Sequence, residues 1–242
     1  MTGMAGDRGP GDAAGRPGGA ADRPPDLAAD LELALSSATA AGRAVMETFG
    51  TEQDVHHKGP DQPVTGADLV ADALLKERLL EARPGYGWLS EESVDRPERL
   101  DRSRVWIVDP IDGTRSFIEG YREFAVSVAL TEGGRSVVGV IYNPARDHMV
   151  WATAGGGARS MKRWSGTERR SGTEPDGATA GAETPAAERD AAARPLDVLA
   201  GPPDTLLASR SERADGEFEP FESGWTIREV GSTAWKLAGT AL

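Results

Sequence analysis

Trp106-Ile107-Val108-Asp109-Pro110-Ile111-Asp112-Gly113-Thr114 is the stretch on which the reading of this chain turns. The apolar run from Arg104 to Val108 has strand character, and its end delivers Asp109 and, across Pro110-Ile111, Asp112. A second short run, Tyr86 to Leu89, ends in the same way on Glu91 and Glu92. Carboxylates converging at the C-terminal ends of two strands repel one another unless cations hold them together.

The residue types narrow the cation and its task. Oxygen-only ligands select hard ions, and a partly hydrated site with a few carboxylates suits Mg²⁺. Pro110 stiffens the turn and removes a backbone donor that would otherwise face a cation, while Gly113 lets the backbone approach a ligand closely. A helix starting after Asp112 would aim the N–H groups of Gly113 and Thr114 at a phosphate. In outline this is a two-metal phosphoryl-transfer site, in which one ion prepares a water and the other stabilises the leaving oxygen.

Upstream, Leu27, Leu31, Ala34, Leu35, Ala38, Ala41, Val45 and Phe49 recur at helical spacing, with Asp26 as N-cap and Gly50 as the stop. A second helix is predicted from about Ala67 to Ala82, ended by Pro84 and Gly85. Downstream, Phe124 to Leu130 alternates as a half-buried strand requires. Glu132 to Arg135 turns the chain into a returning strand over Ser136 to Tyr142, and Asn143-Pro144 turns it again towards a strand at His148 to Thr153. An antiparallel meander is the expectation.

The first 25 residues are poor in large apolar side chains and are expected to form a disordered tail. Residues 26–157 then form a metal-binding lobe. Residues 158–195, rich in Gly, Ala, Glu, Thr, Arg and Pro, are expected to be a flexible low-complexity insertion. Residues 196–242 would begin a second lobe, with strands at Thr205 to Ser209 and Trp225 to Val230 and a helix entered through Gly231-Ser232-Thr233. His56, His57 and His148 fall in expected loops or strand edges without metal-ligand spacing and receive no role.

A formal net charge of -12 argues against nucleic-acid polymers and anionic membranes as partners. With no cysteine, disulfides and thiolate metal sites are excluded. A cytoplasmic protein acting on a small phosphorylated substrate is expected, in an oligomeric state that the sequence leaves open and that includes a homodimer.

Three elements taken together carry a family resemblance. Asp109-Pro-Ile-Asp-Gly-Thr114, preceded by Trp106-Ile-Val, resembles the defining motif of the inositol monophosphatase superfamily. Ser90-Glu-Glu-Ser93 resembles its G-E-E-S element, with Ser90 where glycine is more usual, and Pro63-Val-Thr-Gly-Ala-Asp68 resembles the element that opens its second helix. The resemblance covers roughly residues 27–157 and 196–238. It implies an α+β fold with layered α/β/α/β architecture and an Mg²⁺-dependent phosphomonoesterase using two or three ions.

By the same resemblance Glu91, Asp109, the Ile111 carbonyl and Asp112 would hold metal. Glu91 would also orient or deprotonate the attacking water. Thr114 would hold that water, with Asp68 taking the threonine proton; by itself, Asp68 is an ordinary helix N-terminal acid. Asp112, Gly113, Thr114, Gly231, Ser232 and Thr233 would bind substrate, although the last three serve equally well as a simple helix cap. The stretch from Leu89 to Phe117 and Val230 to Leu237 is most similar to the 3′(2′),5′-bisphosphate nucleotidase (CysQ) branch, which implies removal of the 3′-phosphate of adenosine 3′,5′-bisphosphate. Arg115 and Lys236 would add cations on the substrate side. Inositol 1-phosphate and histidinol phosphate are the sister substrates.

The family pattern continues into a W-D-x-x-A-G element whose aspartate completes the second metal site. No Trp-Asp dipeptide occurs in this sequence. A C-terminally incomplete fold, one metal ligand short and catalytically impaired, is therefore the third expectation.

Overall fold

A computed structural model of the chain describes residues 27–59, 62–162, 192–196, 205–208, 219 and 226–239. Residues 1–25 and Asp26, read above as a tail and a cap, lie outside the described residues, as does most of the expected insertion. The described part begins with helix α1 (Leu27–Thr48), a hairpin of β1 (Val55–Gly59) and β2 (Gln62–Thr65), and helix α2 (Gly66–Ala82). Strand β3 (Gly87–Ser90), a 3₁₀ turn at Pro97–Asp101 and strand β4 (Arg104–Asp112) follow. Next come helix α3 (Thr114–Ile118) and strands β5 (Ala125–Glu132), β6 (Arg135–Asn143), β7 (His148–Thr153) and β8 (Gly157–Lys162). The described part ends with β9 (Arg194–Pro195), β10 (Thr205–Ala208), β11 (Thr226–Glu229) and helix α4 (Thr233–Gly239).

Strands β3 to β9 form one sheet in sequential order, with β3 and β4 parallel and every later pair antiparallel. The expected meander is β5, β6 and β7, and β10 pairs with β11 in a separate parallel ribbon. Alternation divides the side chains of the sheet between two faces. Trp106, Val108, Val128, Leu130, Val138, Val140 and Tyr142 are buried beneath α1 and α2, together with Leu35, Val45, Leu75 and Leu79 from those helices. Each such large side chain contributes roughly 1.5–3 kcal/mol of burial. The small residues of α1 bring its backbone onto the sheet: a Cβ at Gly42 would lie 2.6 Å from the Tyr142 ring. On the opposite face Ala125 and Val150 pack against Trp235 and Ala238 of α4.

One expectation needs correction. Residues 158–162, assigned to the flexible insertion, form β8 and pair with β7 from His148↔Lys162 to Thr153↔Gly157. Arg194 and Pro195 then pair with β8 as β9. Composition misled here because β8 lies next to a two-residue edge strand, where ladder hydrogen bonds rather than apolar side chains hold the chain. His148 opens β7 as expected, and is buried at 4% exposure with its ring edge-on to Trp235.

Candidate active site

The parallel pairing of β3 with β4 builds the centre of the site. Its register runs from Gly87↔Val105 to Ser90↔Val108, and the Glu91 N–H extends it by donating to the Val108 carbonyl at 3.3 Å. Glu91 and Asp109 therefore leave neighbouring strands at the same level. Burial, the nearby Asp112 and Glu91 charges and a hydrogen bond with the Glu91 carboxyl push Asp109 up to about 8. Asp109, largely withdrawn from water beside the more exposed Glu91, is short of positive charge, and protons or cations must supply it. This all-oxygen, overcharged donor set fits a hard divalent ion such as Mg²⁺.

Asp68, at the start of α2, is fully buried and links two motifs that lie far apart in sequence. Its Oδ2 accepts from the Thr65 N–H at 2.8 Å and the Thr65 hydroxyl at 2.6 Å, which caps the helix. Its Oδ1 lies 3.0 Å from Thr114 Oγ1. The Thr114 hydroxyl is also 2.9 Å from the Ile111 carbonyl, so its proton has two acceptors and its lone pairs stay free. Asp68 thus serves both as the helix acid and as the threonine's partner. Burial holds its carboxyl above the usual range, against the lowering effect of the Thr65 and Thr114 hydrogen bonds.

Asp112 reaches across to α4. Its carboxylate is held at the start of α4, accepting from the Ser232 hydroxyl and the Ala234 N–H, and from the Thr233 N–H at 3.3 Å. Ser232 also caps α4, accepting from the Trp235 N–H at 2.9 Å. Gly113 makes this docking possible: its φ of 94° is left-handed, and a Cβ there would stand 2.9 Å from the Glu123 carbonyl and 3.2 Å from Ser232 Cβ. Among the described residues, no group of three His, Asp or Glu side chains is set as a ready metal cage. Asp112, engaged with α4, is the member that would have to turn.

The structure brings together Glu91, Asp109 and Asp68 around the Ile111-Thr114 turn, and joins Gly231-Ser232-Thr233 to that turn through Asp112. Sequence reasoning missed Lys58 on β1. Its ammonium donates to the Glu91 carbonyl at 3.2 Å and pairs with Glu92 Oε2 at 2.7 Å. Burial raises the Glu92 carboxyl while Lys58 opposes that rise. Reading missed Asp72 too, an interior acid of α2. A lone lysine on a hairpin and an acid at helical spacing carry no local signal. Arg115, exposed beside Thr114, and Lys236 on α4 occupy the elements expected of them.

The chain resembles known proteins of one family. A family model described as the Inositol monophosphatase family matches residues 26–241. An inositol-1-monophosphatase of Mesorhizobium japonicum is 45% identical over 130 residues, 53% of this chain and 48% of that protein. The 3′(2′),5′-bisphosphate nucleotidase CysQ of Salmonella typhimurium is 38% identical over 128 residues, 52% of each. In these matches the chain spans about half the length of its curated relatives. Among solved structures, the extragenic suppressor protein suhB from Bartonella henselae superposes with a TM-score of 0.66 at 29% identity, covering 88% of this chain and 74% of that one.

Proposed function

The chain belongs to the inositol monophosphatase family, and from that premise we propose that it is a metal-dependent phosphomonoesterase acting on a small phosphorylated metabolite. The observation that carries the proposal is the Asp68–Thr114 contact, 3.0 Å long, set beside the Asp109–Glu91 carboxyl pair. Glu91, Asp109, the Ile111 carbonyl and Asp112 would hold Mg²⁺. When bound, the metal supplies a water of lowered pKa and charge to stabilise the leaving oxygen. Thr114, donating its proton to Asp68, presents oxygen lone pairs that accept from and orient the attacking water. Glu91 would serve as the base for that water, and the backbone N–H of Thr114 would turn to the phosphate.

Adenosine 3′,5′-bisphosphate is the first substrate to offer. Ser90-Glu91-Glu92 and the exposed Arg115 beside Thr114 support it, since a second phosphate calls for a second cation. Inositol 1-phosphate is the second, supported by the 45% identity to the Mesorhizobium japonicum enzyme. The test is phosphate release by the full chain from each compound, with Mg²⁺ and with EDTA. Release only with Mg²⁺, fastest from the bisphosphate and abolished in Asp109→Asn, is expected. Faster release from inositol 1-phosphate moves the substrate assignment, and no release from either overturns the enzymatic reading.

A further inference from the structure

The site's glutamates sit on a turn whose hold on the rest of the fold comes largely from one side chain. Asp72 lies one helical turn beyond Asp68 on the same face of α2. It is 8% exposed, and each of its oxygens takes a different serine: Oδ1 accepts from the Ser90 hydroxyl, and Oδ2 accepts from Ser93 Oγ at 2.5 Å. These serines bracket Glu91 and Glu92. Ser90 Oγ also accepts from the Glu92 N–H at 3.2 Å, and the Trp88 indole N–H points at Ser93 Oγ from 3.5 Å. With the Val108 carbonyl on the Glu91 N–H and Lys58 on the Glu91 carbonyl, the backbone of that residue is fixed from two sides.

We propose that Asp72 is a positioning residue that clamps the Ser90–Ser93 turn and thereby holds Glu91 in its metal-binding position. α2 then organises both arms of the site: Asp68 holds the Thr114 arm and Asp72, four residues on, holds the Glu91 arm. A glycine at position 90 would have no hydroxyl to offer such a clamp, so Ser90 and Asp72 work as a pair. An asparagine at 72 would turn a donor towards a hydroxyl that is itself donating. That hydroxyl would have to turn its proton away in order to accept, and a charge-assisted bond would become a neutral one. The turn would then gain freedom where small displacements matter most.

This inference rests on the metal-dependent reading above, so its test reads metal binding rather than turnover. Mn²⁺ binding to the full chain is measured by the electron paramagnetic resonance signal of the free ion, with thermal unfolding in EDTA alongside. Asp72→Asn is expected to weaken Mn²⁺ binding by about tenfold, the order seen when partners of metal ligands are removed. Asp72→Glu, which keeps both acceptor oxygens, is expected to recover part of that loss. A dissociation constant for Asp72→Asn within about twofold of wild type overturns the proposal, whatever happens to the unfolding temperature. Should Asp72→Asn fail to fold, Ser93→Ala takes its place, since it leaves the Asp72–Ser90 bond intact. It too must weaken Mn²⁺ by more than about twofold, or the clamp has no bearing on the metal. Wild-type protein that binds no Mn²⁺ overturns the metal-dependent reading, and this assignment with it.

Discussion

Thr114 has a hydroxyl whose proton is directed inward, to Asp68 or to the Ile111 carbonyl, and whose oxygen is left to accept. That asymmetry depends on the hydroxyl alone and not on the rest of the side chain. Thr114→Ser should therefore keep most of the phosphatase activity. Thr114→Val, nearly the same shape, should lose about 10²–10⁴-fold in kcat, the range for a positioned proton-transfer group. Comparing the two in one phosphate-release assay checks this, and equal activities would remove Thr114 from the chemistry. The role proposed for Thr114 is the one that the family resemblance implied. The role of Asp72 was not readable, because an acid inside a helical pattern looks the same whether it faces water or two serines.

At the scale of the element, α4 shows what short-range reading can and cannot reach. Its start was foreseen at Gly231-Ser232-Thr233, and capping by Ser232 is the local reason. What α4 lies against was not foreseen: Asp112 at its start, and His148 under Trp235, ring centroids 5.2 Å apart. Nε2 of His148 has no hydrogen-bond partner among the described residues, and burial, with help from Lys162 and Arg146 and against Asp147, pulls the imidazole from 6.5 down to about 4. In the unfolded chain the imidazole takes its proton nearer 6.5, so the folded state binds fewer protons across that interval. The resulting stability is present above 6.5 and is lost as pH falls from 6.5 towards about 4. Thermal unfolding across that interval should show a steeper acid loss in wild type than in His148→Phe; parallel curves would show that the ring carries no such penalty. Strand β8 went unrecognised for a related reason, since its place is decided by pairing with β7 and not by its own residues.

Across the whole molecule, the sheet has a structural end and a chemical end. Opposite the carboxylates, buried Asp30 on α1 accepts from Arg83 at 2.6 Å, from Arg104 at 2.6 Å and from the Tyr86 hydroxyl at 3.0 Å. Arg104 also reaches Glu132 at 3.1 Å, so the network ties α1 to β4 and β5. Arg104→Met would leave a buried carboxylate with fewer donors and should cost about 2–4 kcal/mol in urea unfolding. Mn²⁺ affinity should not change, because β4 separates Arg104 from the site; a matching loss of affinity would contradict that division of the sheet. The sequence alone determined the two helices, the meander and the identity of the carboxylates. Periodicity and motif spacing are local properties, and each of those features is written within a few residues. Tertiary structure decided that Asp68 meets Thr114, that Asp112 is engaged at α4, and that Asp72 and Lys58 hold the Glu91 turn. Those contacts join residues 18 to 122 positions apart, through hydrogen bonds that exist only once the helices have packed on the sheet.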